Sequence, residues 1–263
     1  MRVTLMIPAL NEAKALPATI ANVAALDPQP DEILLVDGGS EDETVALARA
    51  AGWRTELSPT RGRGPQINFG VEQAGGDLVC ILHADSLLPP DAITHIRRVL
   101  ADRRIALATF LPIIRGEKTR WFTTAHNWWK TYYPIVTHPH LFVRGVRLLF
   151  GDHAMFFRRT DYLRIGGIPA DATIMEEADL CIGFARLGKL RMTRKPVITS
   201  DRRIAAWGPL KANFIYLKVG LAWTFGVALI ALVVIAWPDP ARLSRLRAVT
   251  MEGPAEEKDS TAP

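Results

Sequence analysis

The 263-residue sequence predicts an α/β protein with a mostly parallel sheet flanked by helices. Three observations carry that prediction. Short apolar runs, each too short for an ordinary helix, alternate with segments whose apolar residues recur at helical spacing. Each early run ends in a turn rich in Pro, Gly, Asn or Asp. One run, Leu78-Val79-Cys80-Ile81-Leu82, is apolar at every position and follows Gly75-Gly76, the signature of a strand buried on both faces.

Residues 3–7 form the first strand, which ends at Pro8-Ala9-Leu10-Asn11-Glu12, where Asn11 is placed to cap a helix. Leu16, Ile20 and Val23 mark that helix, and Asp27-Pro28-Gln29-Pro30 stops it. Ile33-Leu34-Leu35-Val36 is a second strand and Asp37-Gly38-Gly39 its turn. Ser40-x-x-Glu43 reads as a capping box for a helix ending at Gly52. Residues 53–57 make a short third strand. The following Arg61-Gly62-Arg63-Gly64-Pro65-Gln66 precedes a helix opened by Pro65. Its arginines suit either a phosphate or plain solvent.

The buried strand breaks into His83-Ala84-Asp85, two metal-ligand types one residue apart, before Leu87-Leu88-Pro89-Pro90 turns the chain. A carboxylate at the carboxyl end of a central strand lies where open α/β sheets bind ligands; as a bare turn, Asp85 is equally a helix cap. Residues 91–100 read as a helix and 105–114 as a strand interrupted by Pro112. Between 121 and 133 lie Trp121, Phe122, Trp128, Trp129, Tyr132 and Tyr133, with His126, His138 and His140 nearby. They suit a flap on the sheet, an acceptor wall or an interfacial belt. Residues 151–157 return to the sheet, 161–165 form a short helix stopped by Gly166-Gly167, and Glu176, Glu177 and Asp179 open a helix closed by Gly188. Acids there complement a helix dipole, yet three exceed what the dipole requires.

The net charge of +5 and pI near 9.4 favour an anionic partner: nucleic acid, a phosphorylated small molecule or a membrane face. The Arg-Gly loop has no interleaved aromatics for stacking bases, so nucleic acid is not expected. Cys80 and Cys181 lack metal-ligand spacing and read as reduced core residues of a cytosol-facing protein. A mean hydropathy of +0.10 points to an apolar segment. Residues 219–237 carry no formal charge, have Trp223 and Trp237 near their ends, and are flanked by Lys211, Lys218, Arg242, Arg245 and Arg247. This segment either spans a membrane, lies in its plane or is a buried helix. Residues 251–263 are polar and read as disordered.

The motifs Ile7-Pro8-Ala9-Leu10-Asn11-Glu12, Val36-Asp37-Gly38-Gly39-Ser40, Arg61-Gly62-Arg63-Gly64-Pro65-Gln66, Leu82-His83-Ala84-Asp85, Gly151-Asp152-His153, Gly166-Gly167 and Met175-Glu176-Glu177 come in a specific order. Together they resemble the inverting family-two glycosyltransferases of the GT-A fold, and more closely a radical-SAM and selenodomain-associated bacterial subgroup. The resemblance covers about residues 2–207. It implies a GT-A-like domain over 1–207, a hydrophobic helical segment over 208–240 associated with a membrane, and a basic then polar tail over 241–263.

The resemblance also implies a nucleotide-sugar donor held by Pro8, Asn11, Glu12, Asp37, Arg63, Gln66, His83, Ala84 and Asp85. Asp85 matches the second carboxylate of an Asp-x-Asp element that ligates Mn²⁺ or Mg²⁺. His83 stands where many members have Asp, a change that favours Mn²⁺. Glu177 takes the place of the general base, usually Asp, with Glu176 and Asp179 beside it. Asp152, His153, Arg202, Arg203 and Trp207 match acceptor or diphosphate positions. The expected acceptor hydroxyl belongs to an unknown, lipid-linked molecule, and the expected location is the cytoplasmic face of the membrane, or the cytoplasm if the apolar helix is buried. Rival readings are a nucleotidyltransferase and a non-catalytic nucleotide-sugar-binding or membrane scaffold protein.

Overall fold

The computed structural model describes residues 1–115, 153–169 and 176–200, with single positions at 132, 135, 143, 149, 211 and 214. The chain divides into two compact units, Met1–Asn213 and Phe214–Pro263. In the first, the elements run β1 (Val3–Ala9), α1 (Leu16–Ala24), β2 (Glu32–Asp37), α2 (Thr44–Ala50), β3 (Arg54–Leu57), α3 (Arg63–Gln73), β4 (Leu78–Ile81), β5 (Ser86–Leu87), α4 (Ala92–Ala101), β6 (Ile105–Arg115), β7 (Met155–Arg158), α5 (Arg159–Ile165), α6 (Glu176–Ala185) and β8 (Lys189–Ser200).

The strands form one eight-stranded sheet in the order β3-β2-β1-β4-β7-β6-β8-β5. β3, β2, β1 and β4 pair in parallel, as the strand-helix alternation predicts. Ala9 lies opposite Asp37 and Met6 opposite Ile81, so the loops after β1, β2 and β4 leave from one edge. The far half is mixed: β7 is antiparallel to β4 and β6, β8 is parallel to β6, and β5 is antiparallel to β8.

Both faces of the parallel half are covered. On one side Leu5, Ile7, Cys80 and Leu82 join Leu16, Val23, Ile93 and Ile96 in a continuous core. Burying each such side chain stabilises the fold by about 1.5–3 kcal/mol. On the other side α3 lies against β1 and β2 so closely that a Cβ on Gly70 would stand 2.8 Å from Val36 and 2.9 Å from Met6. Only glycine permits that approach. Arg158, 5% exposed, donates to the carbonyls of Leu100, Asp102 and Ile105 and pairs with Asp161. It thereby satisfies carbonyls at the end of α4 and ties them to the start of β6.

Several local expectations are corrected. Asn11 does not cap α1, which begins after Ala15 with no side-chain cap. Asn11 instead adopts φ 54° and accepts from the Glu41 N–H at 2.8 Å, joining the first loop to the second. The Ser40/Glu43 capping box does not form: the Ser40 hydroxyl donates to Asp37, and α2 starts one residue after Glu43. α3 begins at Arg63, so Pro65 is its third residue. Pro112 does not interrupt β6, which runs through it beside a register shift between Thr109 and Leu111. Strand β8 has no counterpart among the sequence-predicted elements. Cys80 and Cys181 are free and buried, as expected. Burial pushes both thiols up, Cys181 to about 12, which keeps them protonated.

No helix among the described residues is long and apolar enough to cross a membrane. The segment 219–237 and the aromatic cluster, apart from Tyr132, lie outside the described residues.

Candidate active site

The carboxyl edge of β1, β2 and β4 gathers most of the sequence-predicted site. Asp37 ends β2 and is 5% exposed. Its carboxylate accepts from the N–H groups of Gly39 (3.1 Å) and Ser40 (3.0 Å) and from the Ser40 hydroxyl (2.5 Å), which folds the turn back on itself. Gly39 takes φ 91°, a conformation that suits glycine. Across the loop, the Ser40 hydroxyl oxygen accepts from the Asn11 N–H at 2.9 Å and Thr44 accepts from the Glu12 N–H at 2.8 Å. The two loops are therefore one cross-braced rim.

Gln66 lies beneath that rim. Its amide nitrogen donates to the carbonyls of Ala9 (2.9 Å) and Val36 (3.0 Å), bracing the ends of β1 and β2. A Cβ on Gly38 would stand 3.0 Å from it, so Gly38 is what lets Gln66 reach the strands. Pro8 and Glu12 are partly exposed along the same edge.

Beyond β4, His83 and Asp85 are partly exposed and Ala84 is buried. One guanidinium nitrogen of Arg63, Nη2, lies 2.5 Å from His83 Nε2 and 2.9 Å from Glu177 Oε1. A guanidinium only donates, so His83 Nε2 is the acceptor in this contact. The fold thus joins three predicted residues from α3, the loop after β4 and the start of α6. Glu177 has 11% of its side chain exposed and Arg63 has 32%, so the cation is the side of the pair that faces solvent. Asp179 is partly exposed one turn-half further along α6. His153 is buried at the mouth of β7. Asp152, Arg202, Arg203, Trp207 and the side chain of Glu176 lie outside the described residues.

Asp85 also lines a cavity of about 240 Å³ between the start of α1 and the ends of β6 and β8 beside the short edge strand β5, with Lys14, Thr19, Arg115, Thr199 and Ser200 around it. Lys14 and Arg115 are absent from the sequence-predicted set, because each is a single cation at the end of an element and acquires its neighbours only on folding. Among the described residues, no group of three or more His, Cys, Asp or Glu side chains is arranged to hold a metal ion.

An open α/β sheet with acids and an arginine gathered at its carboxyl edge, where such sheets bind ligands, is the class this fold and site define. The profile of the glycosyl transferase family 2 matches residues 4–164, and the chain belongs to that family. Over 105 residues it is 36% identical to the undecaprenyl-phosphate 4-deoxy-4-formamido-L-arabinose transferase of Yersinia enterocolitica, covering 36% of this chain and 32% of that protein. Over 123 residues it is 28% identical to the poly-beta-1,6-N-acetyl-D-glucosamine synthase of Staphylococcus aureus, covering 44% of this chain and 30% of that one. The chain thus spans about a third of the length of these curated relatives.

Among solved structures, a mannosyltransferase from Pyrobaculum calidifontis in complex with GDP-Man and Mn²⁺ superposes with a TM-score of 0.59 at 20% identity, covering 96% of this chain and 81% of that one. The glucosyl-3-phosphoglycerate synthase of Mycobacterium tuberculosis gives 0.58 at 19% identity, covering 84% and 80%. These likenesses establish the GT-A-like fold.

Proposed function

We propose that the protein transfers a sugar from a nucleotide-sugar donor to an acceptor hydroxyl with inversion, using Glu177 as general base and a divalent cation. The observation that carries this reading is the Arg63 guanidinium bridging His83, two residues before Asp85, and Glu177: a cation suited to phosphate and a candidate base meet at the carboxyl edge. Family membership supports the reaction class.

The residues fit a hard cation through Asp85, whose carboxylate supplies the oxygen ligand that Mg²⁺ and Mn²⁺ prefer. His83 joins as a second ligand only if its Nε2 leaves the Arg63 contact. When bound, such a cation stabilises charge developing on the departing diphosphate. The rest of the chemistry falls to the chain. The rim of Asn11, Asp37 and Ser40 holds the nucleoside, and Arg63 at the start of α3 faces the diphosphate. Glu177 accepts the proton from the acceptor hydroxyl as that oxygen attacks the anomeric carbon. A single displacement needs one base and no covalent intermediate. By the family resemblance, Asp152, His153, Arg202, Arg203 and Trp207 serve the acceptor or the diphosphate.

The undecaprenyl-phosphate relative supports a lipid-linked acceptor and, with segment 219–237, action at the cytoplasmic face of a membrane. A thermal-shift screen of nucleotide sugars with and without Mn²⁺ tests the reading, since a ligand that binds only the native state raises Tm by mass action. A melting temperature unmoved by any nucleotide sugar refutes it. Release of pyrophosphate from a nucleoside triphosphate points to a nucleotidyltransferase instead.

A further inference from the structure

We propose that Arg63 is a positioning residue that passes from the base to the donor: with no donor bound it holds Glu177, and the donor's diphosphate takes the guanidinium and releases that carboxylate. The proposal rests on the donor-dependent reading above and adds a coupling to it.

Three features of the site support the exchange. First, the same Nη2 atom serves both Glu177 Oε1 and His83 Nε2. An incoming phosphate that draws this nitrogen away loosens both at once. Second, the fork has five donors in a plane that matches phosphate oxygens bidentately, and a diphosphate carries more negative charge than one carboxylate. Third, Arg63 opens the eleven-residue α3, whose first turn contains no acidic residue, so the helix end attracts the same anion. The unequal exposure of the pair sets the direction: the ligand meets the cation first, while Glu177 stays sheltered until it is released.

A carboxylate oxygen that accepts an N–H from Arg63 is not open to a hydroxyl proton. Linking its release to the diphosphate means that the base is freed when a donor is in place. Acceptor activation then follows donor binding.

The coupling is read by calorimetric titration of the full chain with UDP, GDP and dTDP at fixed ionic strength, without any turnover. If the diphosphate must break the Arg63–Glu177 pair, Glu177→Gln and Glu177→Ala should bind nucleoside diphosphate about three- to tenfold more tightly than wild type, the scale of one partly exposed ion pair. Arg63→Ala should bind about tenfold or more weakly, and Arg63→Ala/Glu177→Gln should match Arg63→Ala, because Glu177 has nothing left to compete for. Unchanged or weakened binding in both Glu177 variants overturns the exchange and makes Arg63 a fixed strut. Equal tightening by Glu177→Gln with and without Arg63 also overturns it, since the gain is then general charge removal. A wild-type protein that binds none of the three diphosphates fails at the earlier step and removes the donor reading itself.

Discussion

The side-chain amide of Asn68 pairs with the backbone of Ile168 in both directions: its Nδ2 donates to the carbonyl at 2.8 Å and its Oδ1 accepts from the N–H at 2.9 Å. The same oxygen accepts from the Tyr162 hydroxyl at 2.6 Å. Asn68 is on α3, which begins with Arg63, and Ile168 follows the Gly166-Gly167 stop of α5. A Cβ on Gly167 would stand 2.6 Å from Asn68 Oδ1, so the second glycine is there to let the amide in. One side chain therefore locks the Arg63 helix to the turn that precedes α6.

Asn68→Ala should cost about 2–4 kcal/mol, since three hydrogen bonds are lost and the Ile168 groups and Tyr162 hydroxyl keep only what water supplies. Asn68→Asp should fare no better than halfway, because a carboxylate still accepts from Ile168 N–H and Tyr162 but opposes the Ile168 carbonyl. Urea denaturation of the two variants checks the order. Equal stability of wild type and Asn68→Ala would remove the bridge from the fold's energetics.

The parallel half of the sheet was legible because its strands are short, apolar and separated by turns, so periodicity and breakers agree. β8 was not. Its exposure alternates along Lys189–Ser200, and its sequence, Lys189-Leu190-Arg191-Met192-Thr193-Arg194-Lys195-Pro196, carries four cations and a proline that read as surface. Pairing with β6 over nine positions, including Pro112 and Pro196 near the register shift, is a tertiary fact that no local pattern holds. The same limit applies to the site. Asp37 and Asp85 stand out in sequence because each ends an apolar run. The bridge from Arg63 to Glu177 joins residues 114 positions apart and exists only once α3 and α6 share an edge. Gln66 shows the converse: its motif marks it for the donor, whereas its amide nitrogen is taken by the ends of β1 and β2.

His95 supplies a pH test remote from the chemistry. It is 6% exposed and packed against Phe110 and Phe156. Burial first, then the charges of Arg98, Lys195 and Arg191, push its pKa down to about 4, with Asp91 acting in the opposite sense. A histidine whose folded pKa is depressed destabilises the fold as the unfolded chain takes up its proton. Stability should therefore be full above pH 6.5 and fall by about 2–3 kcal/mol between pH 6.5 and 4. His95→Leu should flatten that part of the profile in urea midpoints measured at pH 7 and 4.5. An unaltered slope would assign the acid sensitivity to other groups.

Asp85→Asn should abolish any Mn²⁺-dependent gain in donor binding while leaving the fold intact, because Asn is nearly isosteric and Asp85 is only partly buried. The comparison is a nucleotide-sugar thermal shift with Mn²⁺ against the same shift with a chelator. A variant that retains its full metal response would place the cation elsewhere.

A chain ending at Leu210 should move from the membrane fraction to the soluble one, because it lacks the nineteen uncharged residues at 219–237. Fractionation of both forms without detergent decides it, and a full-length protein found wholly in the supernatant would make that segment something other than an anchor.

Glu177 is the residue on which the proposed reaction turns. Replacing it with Gln removes the proton-accepting charge and nearly preserves shape, so turnover should fall by about two to four orders of magnitude, the usual share of general-base catalysis. Donor affinity should not fall, since the Arg63 guanidinium stays in place for the diphosphate. Glu176 is the nearest competitor, but successive helical positions point about 100° apart, so both acids cannot face one acceptor. Glu176→Gln should therefore cost less. Asp179→Asn provides a second comparison on the same helix, two positions further along. Single-turnover rates with the donor saturating separate the chemical step from binding. A dead Glu176→Gln beside a near-normal Glu177→Gln would move the base by one residue, and normal turnover in all three variants would remove α6 from the chemistry.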